Sequence, residues 1–194
     1  MKEFAVLNEN YYVVKTNRLI KAIGNLGTLE EKLFDSLVSQ IQITDEDFRP
    51  YYIKVKDMGE FIGLHTNAVY ERLREAAENL SNEPVTLESS NDKGKRQFIS
   101  TRLISSTLYQ EGEGYMVMHI DPILKPYLLA INGKETPFTS YMLGNILRLD
   151  TDYEIKLYRL LKQYERVKSR TFEFEDLKKK IGADTPSYQV FAEF

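Results

Sequence analysis

The sequence has no cysteine and only two histidines, His65 and His119, among 194 residues. The missing cysteines exclude disulfides and thiolate metal sites, and agree with a cytoplasmic location. The two histidines stand far apart, so no closely spaced pair is available to hold a metal beside a nucleophilic tyrosine, as a rolling-circle nuclease requires. No run of about 18 apolar residues could span a bilayer. The opening Met1-Lys2-Glu3-Phe4 lacks the basic and apolar regions of a secretory signal. No Gly-x4-Gly-Lys-Ser/Thr loop supports ATP chemistry. Carboxylates are plentiful, but none falls in a pattern that singles out acid/base catalysis. The expectation is a soluble protein with no enzymatic activity, cofactor or membrane partner. A net charge of -3 argues against indiscriminate nucleic-acid binding. Specific binding stays open, because it depends on local rather than total charge.

What is present suffices for one large domain or two small ones. The stretch 51–80 organises the chain. In Tyr51-Tyr52-Ile53-Lys54-Val55-Lys56 the apolar Ile53 and Val55 alternate with lysines, as in a half-buried strand. Asp57 is placed to cap a helix with Met58, Phe61 and Ile62 on one face, and Gly63 to close it. Leu64 and His65 make the turn and Thr66 caps the next helix. There Val69, Leu73, Ala76 or Ala77, and Leu80 form the buried stripe, with Asn67, Tyr70, Glu71, Arg72 and Arg74 outward. A longer helix set against a shorter one, with an apolar back and a partly basic front, is the geometry that lays a helix in a major groove.

Before this stretch, residues 1–10 read as an extended arm, and Val13 and Val14 fit either strand or helix. Thr28-Leu29-Glu30-Glu31 has the capping-box spacing and opens a helix with Leu29, Leu33, Phe34, Leu37, Val38 and Ile41 as its apolar stripe. After it, Glu83-Pro84 breaks the helix, Val85-Thr86-Leu87 suggests a short strand, and residues 89–96 a loop. Strand patterns at 97–109 and 115–120 flank Glu111-Gly112-Glu113-Gly114, whose glycines suit a hairpin turn, with Met116, Met118 and Ile120 facing the core. Asp121-Pro122 starts a short helix to about Ile131, closed by Asn132-Gly133, and 138–149 is a further helical pattern. Thr151-Asp152-Tyr153-Glu154 is a second capping box, opening a helix to about Lys168 whose wide apolar surface predicts burial on more than one side.

Part of this is repeated. Shifted by 119 positions (176 − 57), Ile53 and Val55 meet Phe172 and Phe174, Asp57 meets Asp176, Ile62 meets Ile181, Gly63 meets Gly182, and Thr66 meets Thr185. Shifted by 124 (156 − 32), Lys32-Leu33-Phe34 meets Lys156-Leu157-Tyr158. Such an internal repeat implies two winged-helix units in tandem, the second stopping early. The expected class is α+β: a winged helix, with its helix-turn-helix and hairpin wing, over 1–147, and the start of a second winged helix over 148–194.

Three segments resemble the iteron-binding plasmid replication initiators. They are Val14-Lys15-Thr16-Asn17-Arg18-Leu19-Ile20, then Phe138-Thr139-Ser140-Tyr141 with Asn145-Ile146-Leu147-Arg148-Leu149, and above all Tyr153-Glu154-Ile155-Lys156-Leu157-Tyr158-Arg159-Leu160-Leu161-Lys162-Gln163-Tyr164. The resemblance implies a bacterial, plasmid-encoded initiator. Its first unit would dimerise and touch the DNA backbone, and its second would read repeated origin DNA. Dimers would repress their own promoter, while monomers would recruit host replisome proteins such as an initiator ATPase and a replicative helicase. Against that pattern the chain is expected to be an N-terminal fragment.

The residues expected at DNA are Thr66, Asn67, Tyr70, Arg72 and Arg74 on the first recognition-type helix, and Lys93, Lys95 and Arg96 in the basic loop. The second copy would add Lys168, Arg170, Lys178, Lys179, Ser187, Tyr188 and Gln189. Two readings compete with initiation: a winged-helix transcriptional repressor, and a fragment serving mainly as a dimerisation module.

Overall fold

A computed structural model describes residues 7–63, 68–90, 93–109, 112–129, 131 and 136–184. The chain runs β1 (Tyr12–Thr16), α1 (Asn17–Ala22), α2 (Thr28–Val38), β2 (Tyr51–Lys54), α3 (Val55–Phe61), α4 (Ala68–Asn82), β3 (Val85–Ser90) and β4 (Arg96–Thr101). It continues with β5 (Ile104–Tyr109), β6 (Tyr115–Ile120), a 3-10 turn at Pro122–Leu124, α5 (Lys125–Leu128), β7 (Phe138–Met142), α6 (Leu143–Leu147), α7 (Asp152–Gln163) and α8 (Phe174–Ile181). No helix among the described residues is long and apolar enough to cross a membrane.

β2, β6 and β5 form an antiparallel sheet in that order. Helices α2, α3 and α4 cover it, which is a winged helix with β5 and β6 as its wing hairpin. Gly112 and Gly114 take positive φ of 85° and 71° in the turn, conformations that a residue with a Cβ avoids. Met116, Met118 and Ile120 are buried as expected, and so are Val69, Leu73, Ala76, Ala77 and Leu80 along α4. The helix break before Pro84 holds, and Gly63 follows α3 at φ 70°.

Several local expectations are corrected. β2 ends at Lys54 and α3 begins at Val55, so Asp57 lies inside the first turn rather than at the cap. Gly27, not Thr28, is the cap of α2, and it makes no side-chain cap bond. Glu31 does not reach back as a capping glutamate because its side chain is turned into the interior. The pattern 97–109 is two strands, since the chain leaves one sheet at Thr101 and joins another at Ile104. β4 pairs with β3 in a separate two-stranded sheet, and pairing draws Ser89, Ser90 and Arg96 out of the expected loop. The helical pattern at 138–149 is β7 followed by α6, because 138–142 finds a ladder partner in β1. The short helix after Asp121 ends at Leu128, and Asn132 and Gly133 lie outside the described residues. The second capping box is present in full, but α7 stops at Gln163. It buries only Ile155 and Arg159 and leaves Leu161 64% exposed, so it is covered on one side. Residues 171–173 form no strand, having no strand beside them with which to share a ladder.

The repeat has a structural counterpart. α2 and α7 start 124 positions apart (152 − 28), and α3 and α8 start 119 apart (174 − 55). Gly63 and Gly182 both follow their helices at positive φ. β7 and α6 also repeat the order of β1 and α1, so the second set of elements starts at Phe138, ahead of the 148 expected for the second unit. β1 and β7 pair antiparallel with Val14 opposite Ser140. Those two positions are equivalent by the strand starts (138 − 12 = 140 − 14), so a local two-fold axis runs between them.

Candidate nucleic-acid interface

The first recognition-type helix is α4. Thr66 and Asn67 lie outside the described residues. Tyr70 is half-buried and meets Tyr109 of the wing edge-on, ring centres 6.0 Å apart. Arg72 is exposed. Arg74 is also exposed but is engaged along the helix, by Glu71 at 3.1 Å and Glu78 at 2.8 Å, and the Glu71 hydrogen bond leads in raising its pKa. With Glu75, the outward face carries three glutamates against two arginines. The wing tip repeats that sign with Glu113 between its two glycines. Neither feature presents a cationic face to a phosphate backbone.

The basic residues gather elsewhere. Lys93 and Lys95 are exposed in the turn between β3 and β4. Arg96 follows, 3.5 Å from Glu88 and 5.7 Å from the centre of the Phe98 ring. Beyond α7, Lys168 takes a left-handed φ of 67°. The Arg170 guanidinium lies over Tyr164 at 4.4 Å and Phe172 at 5.4 Å, which holds it in a defined place while the residue stays exposed. On α8, Lys178 pairs with Glu175 at 2.8 Å, and Lys179 is exposed with no ion pair among the described residues. Ser187, Tyr188 and Gln189 lie outside the described residues.

What sequence reading missed is a buried ionic cluster joining the two sets of repeated elements. Lys15 of β1, Glu31 and Asp35 of α2, Tyr141 of β7 and Arg159 of α7 are all at most 2% exposed. Asp35 accepts from Lys15 Nζ at 2.5 Å, from Tyr141 Oη at 3.0 Å and from Arg159 Nη2 at 2.9 Å. Arg159 Nη1 lies 2.6 Å from Glu31 Oε2, and its Nε donates to Tyr141 Oη at 2.8 Å. Burial opposes the charge on Asp35, but Arg159 and Lys15 outweigh it and hold the carboxyl below its ordinary range. Burial pushes Glu31 the other way, to a raised pKa, and pushes the Tyr141 hydroxyl well up. Burial also lowers Lys15, with Arg159 adding to the effect. A signal for the cluster did exist in the sequence. It was partial: Lys15 shares a strand face with Val13, but Asp35 lies off the apolar stripe of α2 and is buried because β1 and α7 cover that side of the helix. Charges in such places stay buried only when paired.

Comparisons with known proteins agree with this architecture. The family described as Initiator Replication protein, WH1, matches residues 12–162. The PI protein of Escherichia coli is 23% identical over 154 residues, 71% of this chain and 50% of the relative, so the chain spans about half of that relative's length. A solved structure of Pi initiator protein in complex with iteron DNA superposes with a TM-score of 0.72 at 19% identity, covering 91% of this chain and 74% of that one. At that identity the likeness is one of fold. With the winged helix in place and the match covering most of it, the chain belongs to the initiator replication protein family, whose WH1 unit it carries.

Proposed function

We propose that this chain acts in a plasmid replication initiator that binds repeated origin DNA and represses its own promoter as a homodimer, in the bacterial cytoplasm and without catalytic chemistry of its own. The observation that carries the reading is the tandem arrangement. A winged helix is followed by a second set of one strand and three helices, and together they follow the fold of an initiator solved with iteron DNA over 91% of this chain. Host replisome proteins, an initiator ATPase and a replicative helicase among them, are the partners that initiation requires. The glutamates on the α4 face support a division of labour in which the first unit contributes assembly and backbone contact and the second reads bases.

The test is binding of the full-length protein to duplexes carrying the repeats that flank its gene, compared with scrambled duplexes over a range of salt. Specific initiators favour their sites by roughly 10³-fold or more over other DNA. Equal affinity for both duplexes at every salt concentration would overturn the proposal.

A further inference from the structure

Two clefts flank the short helix α1 and share Lys21 and Asn25. One, about 470 Å³, lies between α1 and the β3–β4 hairpin and carries Arg18, Lys21 and Arg96 against a single carboxylate, Glu88. The other, about 500 Å³, lies between α1, α7 and α8 and carries Lys21, Lys156, Lys179 and Lys180, with Asp176 the carboxylate at its rim. Glu31 and Arg159 also border the second cleft, but they neutralise each other in the buried cluster. Arg18, Lys21 and Lys179 are exposed and make no ion pair among the described residues. Lys156 and Lys180 are held by Asp152 at 2.7 Å and Asp176 at 3.5 Å. Because the two clefts share Lys21, their cations form a strip from the hairpin across α1 to α8. A strip of this kind suits a polyanion with regularly spaced charges better than a compact phosphate ligand.

We infer that the first unit meets the backbone of duplex DNA through α1, with Arg18 and Lys21 bridging the β3–β4 hairpin and α8, and not through the face of α4. The inference rests on the DNA-binding function proposed above. It also gives the first winged helix a footprint independent of base reading, as a net-acidic helix front and an acidic wing tip require. Phosphate contacts fix register on the duplex and carry no sequence information of their own.

The test measures salt dependence of binding by the full-length protein to iteron and scrambled duplexes, for the wild type, the double variant Arg18→Ala/Lys21→Ala and, as a control on α4, Arg72→Ala. Each phosphate contact contributes about 0.9 to the slope of log affinity against log salt. The double variant is expected to flatten the slope by about 2 and to weaken binding to both duplexes by the same factor. Arg72→Ala is expected to leave the slope unchanged. Both altered α1 residues are exposed, so thermal unfolding should not move. A wild-type slope in the double variant, or flattening by Arg72→Ala alone, overturns the inference while leaving the proposed function standing. A wild type that binds neither duplex overturns both. A second readout uses a photo-crosslinker on Lys21→Cys, these 194 residues having no cysteine of their own: it should attach to the duplex, and failure to do so while the protein is bound counts against the inference.

Discussion

Arg159 and Asp35 stand at equivalent positions of two copies of one helix (159 − 35 = 152 − 28 = 124) and bind each other across the seam between them, Nη2 to Oδ2 at 2.9 Å. Tyr141 and Lys15 are equivalent in the same sense (141 − 15 = 138 − 12 = 126), and both reach the same aspartate. The local two-fold axis between β1 and β7 therefore runs beside a buried cluster to which each copy contributes. Symmetry of backbone has been filled with complementary rather than identical side chains. Two arginines or two aspartates at these positions would repel without water to screen them.

Truncating one member of such a cluster leaves its partners buried and uncompensated. Arg159→Met should lower unfolding stability by about 3–5 kcal/mol in urea titrations. A loss below about 1 kcal/mol would show that the cluster does not hold α7 to α2.

The two carboxylates should respond to pH in opposite directions. Asp35 titrates below its ordinary value of 3.8, so its stabilisation is complete above that value and is lost as pH falls through the lower folded one. Glu31 titrates above its ordinary 4.5, so its contribution is present at low pH and is lost as pH rises through the raised value. In a series of denaturation curves the deficit of Asp35→Asn relative to wild type should shrink below pH 3.8. The relative stability of Glu31→Gln should rise with pH from 4.5 upward. Parallel pH profiles for the two variants would contradict the assignment.

Gly63 and Gly182 end equivalent helices at φ 70° and 77°. Alanine at either should cost about 1–2 kcal/mol, since a Cβ in the left-handed region meets the following carbonyl. At Gly63 the new methyl meets nothing within 4 Å, whereas at Gly182 it falls 2.8 Å from Lys156 Nζ and displaces that side chain. Thermal melts should therefore rank Gly182→Ala at or below Gly63→Ala, and no loss at either site would refute the helix-stop role.

Leucines on α4 and α7 give a contrast in burial. Leu73 is fully buried and Leu161 is 64% exposed. Leu73→Ala should cost about 2–5 kcal/mol by lost burial and the cavity left behind. Leu161→Ala should lie within about 0.5 kcal/mol of wild type. Comparable losses at both positions would show that the two leucines share one degree of burial.

Much of the fold is legible in the sequence because its signals are local. The α4 stripe, the capping box at Thr151 and Glu154, and the glycine stops at 63 and 182 each depend on neighbours within a few positions. The split of 97–109 into β4 and β5 depends on two different hairpin partners, β3 before it and β6 after it, and the conversion of 138–142 into strand depends on β1, more than a hundred positions away (138 − 16 = 122). The surroundings of the candidate DNA residues are likewise set by the fold. Arg74 reads as an outward cation until Glu71 and Glu78 are found beside it, and nothing in the sequence singles out Arg18 and Lys21 before the clefts on both sides of α1 are seen.

The sequence by itself determined the apolar stripe of α4, the glycine stops at 63 and 182 and the duplication, because hydrophobic spacing and backbone conformation are properties of short stretches. Only the tertiary structure decided that the duplicated elements meet across a two-fold axis. It also decided that Glu31 is an ionic partner of Arg159 instead of a helix cap. The reason is physical: a buried charge is tolerable only where its counter-charge arrives, and for Glu31 that counter-charge comes from Arg159, 128 positions away (159 − 31).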